Sequence, residues 1–305
     1  MIRLFGAPGV IEIADLPRPV AGTGEVVVRV AAAGVGPWDA LTREGKNIVA
    51  PPLPLILGSD LSGVVEAVGA EVTSFRVGDE VYGDTNDHFT GAYAEFAVAS
   101  AGKIARKPKS LDYIAASGVP VVSVTAWQML FEYAHAAAGQ RVLVHGAGGN
   151  VGAFAVQLAK HAGLHVIATA SARDAEYVRG LGAETVLDFR AGRFENGLQP
   201  VDAVIDTVGG EVLERSLRVL GPKGILVSVA APIPEEIARR YCGRTVFFLV
   251  DVSTARLETV GELFDRGVLR ALVGTVLPLE QARAAHEMLA GAAHARGKIV
   301  LRVAE

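Results

Sequence analysis

The 305-residue sequence has a single cysteine, Cys242, and almost no excess of charge of either sign. One cysteine excludes an internal disulfide and a metal cluster built from several cysteines, and it fits a reducing, cytoplasmic setting. The formal net charge is −4 at pH 7 and Lys and Arg form no cluster, which argues against nucleic acid or an anionic membrane as a partner. No apolar run approaches the roughly 20 residues of a membrane span.

Apolar residues make up 50% of the chain, and 35 residues are glycine. A chain of this length usually forms more than one domain. Residues 1–13 lack the apolar run and cleavage site of a secretory signal. We expect this stretch to begin the fold as a strand, at Val10–Ile13.

The pattern of apolar runs changes along the chain. Short β-branched runs separated by glycine and proline predict a small barrel or folded sheet in the first third. From Arg141 onward strands and helices alternate, which predicts βαβ crossovers and a doubly wound parallel sheet. We therefore expect an α/β fold with a β-rich domain at 1–115, completed by about 255–305, and a parallel-sheet domain at 116–254.

The segment Val142–Gly152 reads VLVHGAGGNVG and carries the most informative motif. An apolar strand runs into small residues and then into an amphipathic helix, so that Ala147, Gly149 and Gly152 match a dinucleotide-binding turn. Such a turn lets the backbone approach a pyrophosphate, and the amino end of the helix supplies donors and a positive dipole. The predicted cofactor contacts here are Gly148, Gly149, Asn150, Val151 and Gly152.

The end of the next strand decides which dinucleotide is expected. An NAD site would place an acid about 20 residues further on, and residues 169–171 read Thr-Ala-Ser instead. Arg173 can fork onto a 2′-phosphate, which favours NADPH. Ser171 and Asp174 also have the spacing of a capping box, and Ser171 is able to serve both roles. Further predicted cofactor contacts are Val208, Gly209 and Lys298.

Six more segments occur in a specific order and spacing: GSDLSGVVEAVG at 58–69, VGDEVYG at 77–83, GAYAEF at 91–96, DAVIDTVGG at 202–210, PLEQARAAH at 278–286 and GKIVL at 297–301. With the glycine segment, they make the chain resemble the zinc-free, quinone oxidoreductase-like branch of the medium-chain dehydrogenases/reductases over nearly its full length. The resemblance implies a GroES-like catalytic domain, a Rossmann domain, and a cofactor in the cleft between them. It also implies a homodimer joined at an edge strand, Arg244–Val250.

Zinc alcohol dehydrogenases share this layout, so the resemblance raises the question of a metal. Their catalytic zinc uses a Cys in the segment matching 34–39, a His where Ser59 stands, and a Cys near Thr125. Gly36, Ser59 and Thr125 occupy these places and cannot complete a tetrahedral site. We expect no metal, and we expect His88 to be a polar residue on the surface rather than a ligand.

Without a metal, an alcohol has no Lewis acid to lower the pKa of its oxygen. Reduction of a quinone or an α,β-unsaturated carbonyl by NADPH fits better, with hydrogen-bond donors for the charge that develops on a distal oxygen. By resemblance, the catalytic candidates are Tyr82, Thr125 and Asp39. The substrate-pocket candidates are Gly36, Trp38, Phe89 and Tyr93. Packing roles for the three aromatic residues, and a helix-anchoring role for Asp39, stay open.

Two alternative functions also stay open. Quinone reductases of this branch usually have Asn where Gly36 lies, so a non-catalytic NADPH-binding sensor or structural protein is one alternative. The other is a reductase of enoyl thioesters. Enzymes of that kind use a Tyr in the loop after Asp39, and residues 44–50 contain none, which counts against this substrate.

Overall fold

A computed structural model describes residues 1–239 and 244–304. They form two compact units, one of Met1–Val121 with the segment from Asp251 onward, and one of Val122–Val250. The sequence predicts domain boundaries after residues 115 and 254. These boundaries stay predictions, because the two compact units are defined by contacts and not as domains. Cys242 lies outside the described residues.

The strands and helices are listed here in chain order. The strands are β1 (Glu25–Val35), β2 (Asp60–Val68), β3 (Glu80–Asp84), β4 (Phe96–Ser100), β5 (Ile104–Arg106), β6 (Arg141–His145), β7 (His165–Ala170), β8 (Thr185–Asp188), β9 (Val201–Asp206), β10 (Leu220–Ser228), β11 (Arg244–Phe247), β12 (Val273–Pro278) and β13 (Lys298–Arg302). The helices are α1 (Pro37–Arg43), α2 (Tyr113–Ser117), α3 (Pro120–Trp127), α4 (Asn150–His161), α5 (Ala175–Gly180), α6 (Glu211–Leu217), α7 (Glu235–Ala238), α8 (Thr254–Asp265) and α9 (Ala282–Leu289).

The first unit is the β-rich domain expected from the glycine-punctuated runs. Its strands form the order β12-β13-β1-β2-β3-β5, with β4 also pairing with β1. β1 is the central strand and pairs antiparallel with β2, β4 and β13. Valines and alanines of β1 lie in the core with Leu61, Ile104 and Leu301. The sheet therefore brings residues from both ends of the chain to one core.

The second unit contains a parallel sheet in the order β11-β10-β9-β6-β7-β8. Numbered from the first strand of this unit, the order is 3-2-1-4-5-6 read from β8, which is that of a doubly wound dinucleotide-binding fold. The switch point, where ligands bind in such sheets, falls between β6 and β9. The expected α/β class, a β-rich domain plus a doubly wound parallel sheet, is confirmed.

Several elements differ from expectation. The strand predicted at Val10–Ile13 is wrong: Pro8–Val10 is a 3-10 turn, and Ile2 alone forms a bridge, to Leu55. The apolar run over Val121–Tyr133 predicts one helix, whereas in the structure α3 ends at Trp127 and a π-type turn follows. Short elements such as α1 and β12 were not expected, because seven or fewer residues carry little periodicity. No helix in the two described ranges is long and apolar enough to cross a membrane.

Candidate functional site

The tight turn after β6 is made by Gly146, not by Ala147 as the sequence spacing suggested. Gly146 has a φ of +71°, a left-handed conformation that favours glycine. A Cβ on Gly146 would lie 2.3 Å from the hydroxyl oxygen of Thr207. The β6–α4 loop therefore packs directly on the loop that follows β9.

Gly149 and Gly152, at the start of α4, have different requirements. A Cβ on Gly152 would lie 2.3 Å from the carbonyl oxygen of Gly146, so this glycine permits the close packing of helix on strand. Gly149 has an ordinary φ of −86°, and a Cβ there would meet only the Gly146 oxygen, at 3.3 Å. The backbone itself does not require glycine at 149.

The amino end of α4 is open. Gly149 is its exposed N-cap, Asn150 and Val151 are partly exposed, and no side chain in the described part of the chain caps this end. No acidic residue lies in the first turn. Free helix amides and the positive end of the helix dipole suit a phosphate group.

A buried carboxylate that the sequence reading missed organises the carboxyl edge of the sheet. Asp206, the last residue of β9, is fully buried and accepts hydrogen bonds from the amides of Val208 and Gly209, at 3.1 to 3.2 Å. The Ser228 hydroxyl also donates to Asp206 Oδ2, at 2.7 Å. The same hydroxyl oxygen accepts the amides of residues 230 and 231. One carboxylate thus fixes the loops after β9 and β10.

His145, the last residue of β6, is a second missed residue. Its ring nitrogens lie 2.9 Å from the hydroxyls of Thr169 and Ser216, and its carbonyl accepts a hydrogen bond from Thr207. Burial, with a smaller effect from the Arg215 cation, lowers the pKa of His145 to about 3, so the ring is neutral. The signal for both residues was a polar side chain ending an apolar strand: VLVH in β6 and AVID in β9.

The turn after β7 does not match the expected capping box. The Ser171 hydroxyl donates to Asp174 Oδ2, at 2.6 Å, and does not cap a helix. A Cβ on Gly148 would lie 3.2 Å from Asp174 Cβ, so an acid that the strand-end count missed lies beside the glycine loop. The Arg173 side chain is 85% exposed, and its Nε lies 3.8 Å from Asp174 Oδ1.

In the first unit, Trp38 covers the position of Gly36. A Cβ on Gly36 would lie 2.4 to 2.5 Å from three carbons of the Trp38 ring. The indole N–H of Trp38 donates to the Ser59 hydroxyl, at 3.1 Å. Gly36 is buried, whereas Trp38 stays partly exposed.

Asp39 anchors the start of α1, the helix-anchoring role that the sequence left open. Its Oδ2 accepts the Gly36 amide at 2.8 Å and the Tyr93 hydroxyl at 3.0 Å. Its Oδ1 is buried and has no hydrogen-bond partner among the described residues. Burial raises the pKa of Asp39 to about 7, against the opposing effects of the Gly36 amide and Lys298.

Lys298 is buried rather than solvated. Its Nζ lies 3.0 Å from Asp60 Oδ2 and 4.4 Å from the centroid of the Trp38 ring. Burial raises the pKa of Asp60, and the Lys298 cation opposes this rise. Lys298 thus forms a buried ion pair beside an aromatic ring, and its contact with the cofactor stays a prediction.

Tyr82 does not present its hydroxyl as the catalytic prediction required. The side chain is fully buried, and its hydroxyl donates to the Leu257 carbonyl at 2.6 Å. Thr125 is 5% exposed on α3 in the second unit. Phe89 is partly exposed with a φ of +57°, a strained conformation for an aromatic residue. The exposed ring of His88 contacts the Val49 carbonyl.

Within residues 1–239 and 244–304, no group of three or more His, Cys, Asp or Glu side chains has an arrangement that could hold a metal ion. The place where zinc relatives carry a His holds Ser59, whose hydroxyl oxygen accepts the Trp38 N–H.

Comparison with known proteins gives matches over the whole chain. Residues 22–109 match the alcohol dehydrogenase GroES-like domain, and residues 181–301 match a zinc-binding dehydrogenase family. The quinone oxidoreductase of Sus scrofa is 32% identical over 314 residues, which cover 97% of this chain and 95% of that protein. The quinone oxidoreductase structure from Coxiella burnetii has a TM-score of 0.92 and 34% identity, over 99% of this chain and 98% of its own. A mycobacterial relative solved with NADPH has a TM-score of 0.88 and 29% identity, over 99% and 98%.

A GroES-like domain together with a Rossmann-like sheet defines the medium-chain dehydrogenases/reductases. The chain belongs to the quinone oxidoreductase-like family within that class, and it is an oxidoreductase enzyme. The non-catalytic sensor considered from the sequence is thereby set aside.

Proposed function

We propose that this enzyme is an NADPH-dependent, zinc-independent reductase of quinones or α,β-unsaturated carbonyls. The observation that carries the proposal is the open amino end of α4 behind a glycine loop whose neighbouring loops are held by Asp206 and Thr207. Such a loop binds a pyrophosphate through backbone amides, without any charged side chain.

The residues present fit a nicotinamide dinucleotide. Gly149 leaves open space where a phosphate would approach, since the nearest atom to a Cβ there is the Gly146 oxygen. Val208 is 54% exposed, and its Cγ2 would lie 3.0 Å from a Cβ on Gly146, so it lines the same loop. When bound, the reduced nicotinamide would supply a hydride to the acceptor. The residues that would hold the cofactor are Gly148, Gly149, Asn150, Val151, Gly152, Ser171, Arg173, Val208 and Gly209.

Preference for NADPH rests on Arg173. The side chain is exposed and lies in the turn after β7, where a nearby arginine accommodates a 2′-phosphate. Asp174 opposes this preference, because its carboxylate lies beside Gly148 and would repel the phosphate. The NADPH bound by the mycobacterial relative supports the proposal by analogy.

The acceptor side needs an orienting surface and a proton, and the first unit offers residues for the surface. Trp38 and Phe89 are partly exposed aromatic side chains. Asp39 accepts hydrogen bonds from the Tyr93 hydroxyl and the Gly36 amide. These bonds fix the start of α1, the helix that contains Trp38. Solvent supplies the proton that the reduced oxygen or carbon requires, since the Tyr82 hydroxyl is committed to Leu257.

The decisive experiment follows NADPH oxidation with three acceptors: 9,10-phenanthrenequinone, a small enone and crotonyl-CoA. Turnover of the quinone or the enone supports the proposal. Turnover of crotonyl-CoA alone would move the assignment to enoyl-thioester reduction. Activity that disappears on chelation and returns with zinc would contradict zinc independence.

We also propose a homodimer joined through β11. In the described part of the chain, this strand lies at the edge of the sheet. Its last residue, Phe247, is 41% exposed, and Leu249, just after the strand, is 57% exposed. An apolar edge strand invites pairing with a second copy. Light scattering that gives the mass of one chain at micromolar concentration would refute this proposal.

A further inference from the structure

Gly36 and Trp38 form a sterically matched pair at the start of α1. Gly36 has φ −133° and ψ 164°, an extended conformation that any residue adopts. Its backbone therefore does not demand glycine. The demand comes from the Trp38 ring, because a Cβ at residue 36 would lie 2.4 Å from Cζ2 and 2.5 Å from Cε2 and Cη2.

The Trp38 ring is held at its edge and across a face. The indole N–H donates to the buried Ser59 hydroxyl, at 3.1 Å. Lys298 Nζ lies 4.4 Å from the ring centroid, a cation–π distance. Lys298 is in turn fixed by Asp60, at 3.0 Å. A partly exposed side chain with this many fixed contacts loses little further freedom when a ligand stacks on it.

We propose that Trp38 selects the acceptor, its ring serving as a fixed stacking platform for flat conjugated molecules such as quinones. This inference rests on the proposed function and narrows its substrate class. An aromatic face binds another extended π-system through offset stacking and apolar burial. A short aliphatic enone or an acyl-thioester chain offers less of this surface, so it gains less from the ring.

The matched pair also explains the departure from the expected asparagine at residue 36. An Asn side chain and the Trp38 ring would occupy the same space, since even the Cβ overlaps the ring. Residue 36 therefore provides no polar side chain, and the Trp38 ring provides an aromatic surface in the space that such a side chain would occupy. The exchange predicts that neither residue can be changed independently of the other.

The test compares Trp38→Leu with Trp127→Phe, which removes the other of the two tryptophans and lies in α3. For Trp38→Leu we expect kcat/KM for 9,10-phenanthrenequinone to fall about tenfold, and that for but-3-en-2-one to fall less than threefold. Trp127→Phe should leave the ratio of the two values unchanged. Equal falls for both acceptors, or no fall, would overturn the inference.

Steric coupling gives a second readout. Gly36→Asn alone should lower the melting temperature and shift the acceptor ratio as Trp38→Leu does, because the ring must move. Adding Trp38→Leu to Gly36→Asn should recover the melting temperature of the single Trp38→Leu variant. If the double variant loses the sum of the two single losses in melting temperature, the side chains at residues 36 and 38 do not compete for space. That result would overturn the matched pair.

Binding separates this inference from the proposed function. In Trp127→Phe, Trp38 is the sole tryptophan, so saturable quenching of its fluorescence by phenanthrenequinone reports contact with the ring. Quenching without turnover of any acceptor would refute the proposed reductase activity and support stacking of the quinone on Trp38. Turnover of the quinone with no saturable quenching would refute stacking on Trp38 and support the proposed reductase activity.

Discussion

The glycine loop of the second unit and the Trp38 region of the first unit are built in opposite ways. In the glycine loop, backbone atoms of residues 146 and 147 exclude a side chain at Gly152, and the positive φ and the nearby Thr207 hydroxyl exclude one at Gly146. Around Trp38, a large side chain defines the surface, and the backbone of Gly36 merely makes room for it. A site made of backbone should tolerate few substitutions, whereas a site made of one side chain should change its selectivity before it loses its fold.

The two regions also differ in how their buried polar groups are satisfied. Asp206 and His145 have partners on each side, from neighbouring strands, loops and a helix. Asp39 Oδ1 and His286 Nε2 of the first unit are buried without a partner among the described residues. Satisfied networks rigidify a structure, while an unpaired buried group costs stability. Burial raises the pKa of Asp39 to about 7, so this carboxyl makes the stability of the first unit depend on pH.

The largest expected effect comes from adding one methyl group to the backbone-built site. Gly152→Ala places a Cβ 2.3 Å from the Gly146 carbonyl oxygen and 2.8 Å from Ala147 Cα, and neither atom can yield without moving β6 or α4. We expect a loss of about 3 kcal/mol in the free energy of unfolding, measured by urea denaturation.

Gly149→Ala is the matched control for that substitution. Its Cβ would meet only one atom at 3.3 Å, and its φ is unstrained, so the free energy of unfolding should change by less than about 0.5 kcal/mol. Affinity for NADPH should nevertheless fall, because the added group lies where the phosphate approaches. Equal stability losses at 149 and 152 would contradict the packing assigned to the loop.

The next effect concerns the carboxylate that fixes two loops. Asp206→Asn replaces one acceptor oxygen by an amide, which cannot accept from the Val208 and Gly209 amides and the Ser228 hydroxyl together. We expect the Kd for NADPH to rise about tenfold, and stability to fall by about 2 kcal/mol, by calorimetry and denaturation.

Ser228→Ala sharpens this result, because it removes only the bond to Asp206 Oδ2 and the acceptor for the loop after β10. It should weaken NADPH binding less than Asp206→Asn does. Unchanged dinucleotide affinity in Asp206→Asn, with stability lost, would restrict the carboxylate to a purely structural role.

The pH dependence of stability tests the first unit. The pKa of Asp39 is raised from 3.8 to about 7 in the folded chain, so the folded state holds a proton that the unfolded state releases. Stability from this group is complete below about pH 4 and is lost as pH rises to about 7. The difference in unfolding free energy between wild type and Asp39→Asn should therefore fall by at most about 1.4 kcal/mol per pH unit across that window.

Asp15→Asn, at an exposed position of the same unit, is the control for the loss of a carboxylate. Its unfolding free energy should follow that of the wild type at every pH. A wild-type curve parallel to that of Asp39→Asn between pH 5 and 7 would show that Asp39 is already ionised in the folded protein.

Sequence patterns predicted the parallel sheet well, because long apolar strands such as β6 and β7 alternate with periodic helices. They also predicted the dinucleotide loop. They could not predict that Gly146 makes the turn, since the motif Ala147-x-Gly149-x-x-Gly152 fits the spacing equally well. The position of Asp174 beside Gly148 depends on how the turn after β7 folds back, and counting along a strand cannot reveal it.

The acceptor side was harder to predict because its residues act through tertiary contacts. The pattern of residues could not predict that the Trp38 ring folds back over Gly36, because this depends on the side-chain rotamer. It could not predict that Lys298 lies buried on Asp60, because these two residues are 238 positions apart. The hydrogen bond of Tyr82 was also not predictable, because its partner, Leu257, is 175 residues away. The residue type suggested a hydroxyl available to a substrate, whereas the hydroxyl is buried and bonded to Leu257.

The smallest expected effect is on the choice of dinucleotide. Arg173→Ala removes an exposed guanidinium that would form charge-assisted hydrogen bonds with a 2′-phosphate, so the Kd for NADPH should rise about tenfold while the Kd for NADH stays within twofold. Arg179→Ala, an exposed arginine on α5, removes the same charge a turn and a half further along and should alter neither value. Asp174→Asn should act in the opposite direction and strengthen NADPH binding, because it removes a negative charge beside Gly148. If Arg173→Ala weakens both dinucleotides equally, the arginine serves a part of the cofactor that the two share, and the preference for NADPH must come from elsewhere in the β7 turn.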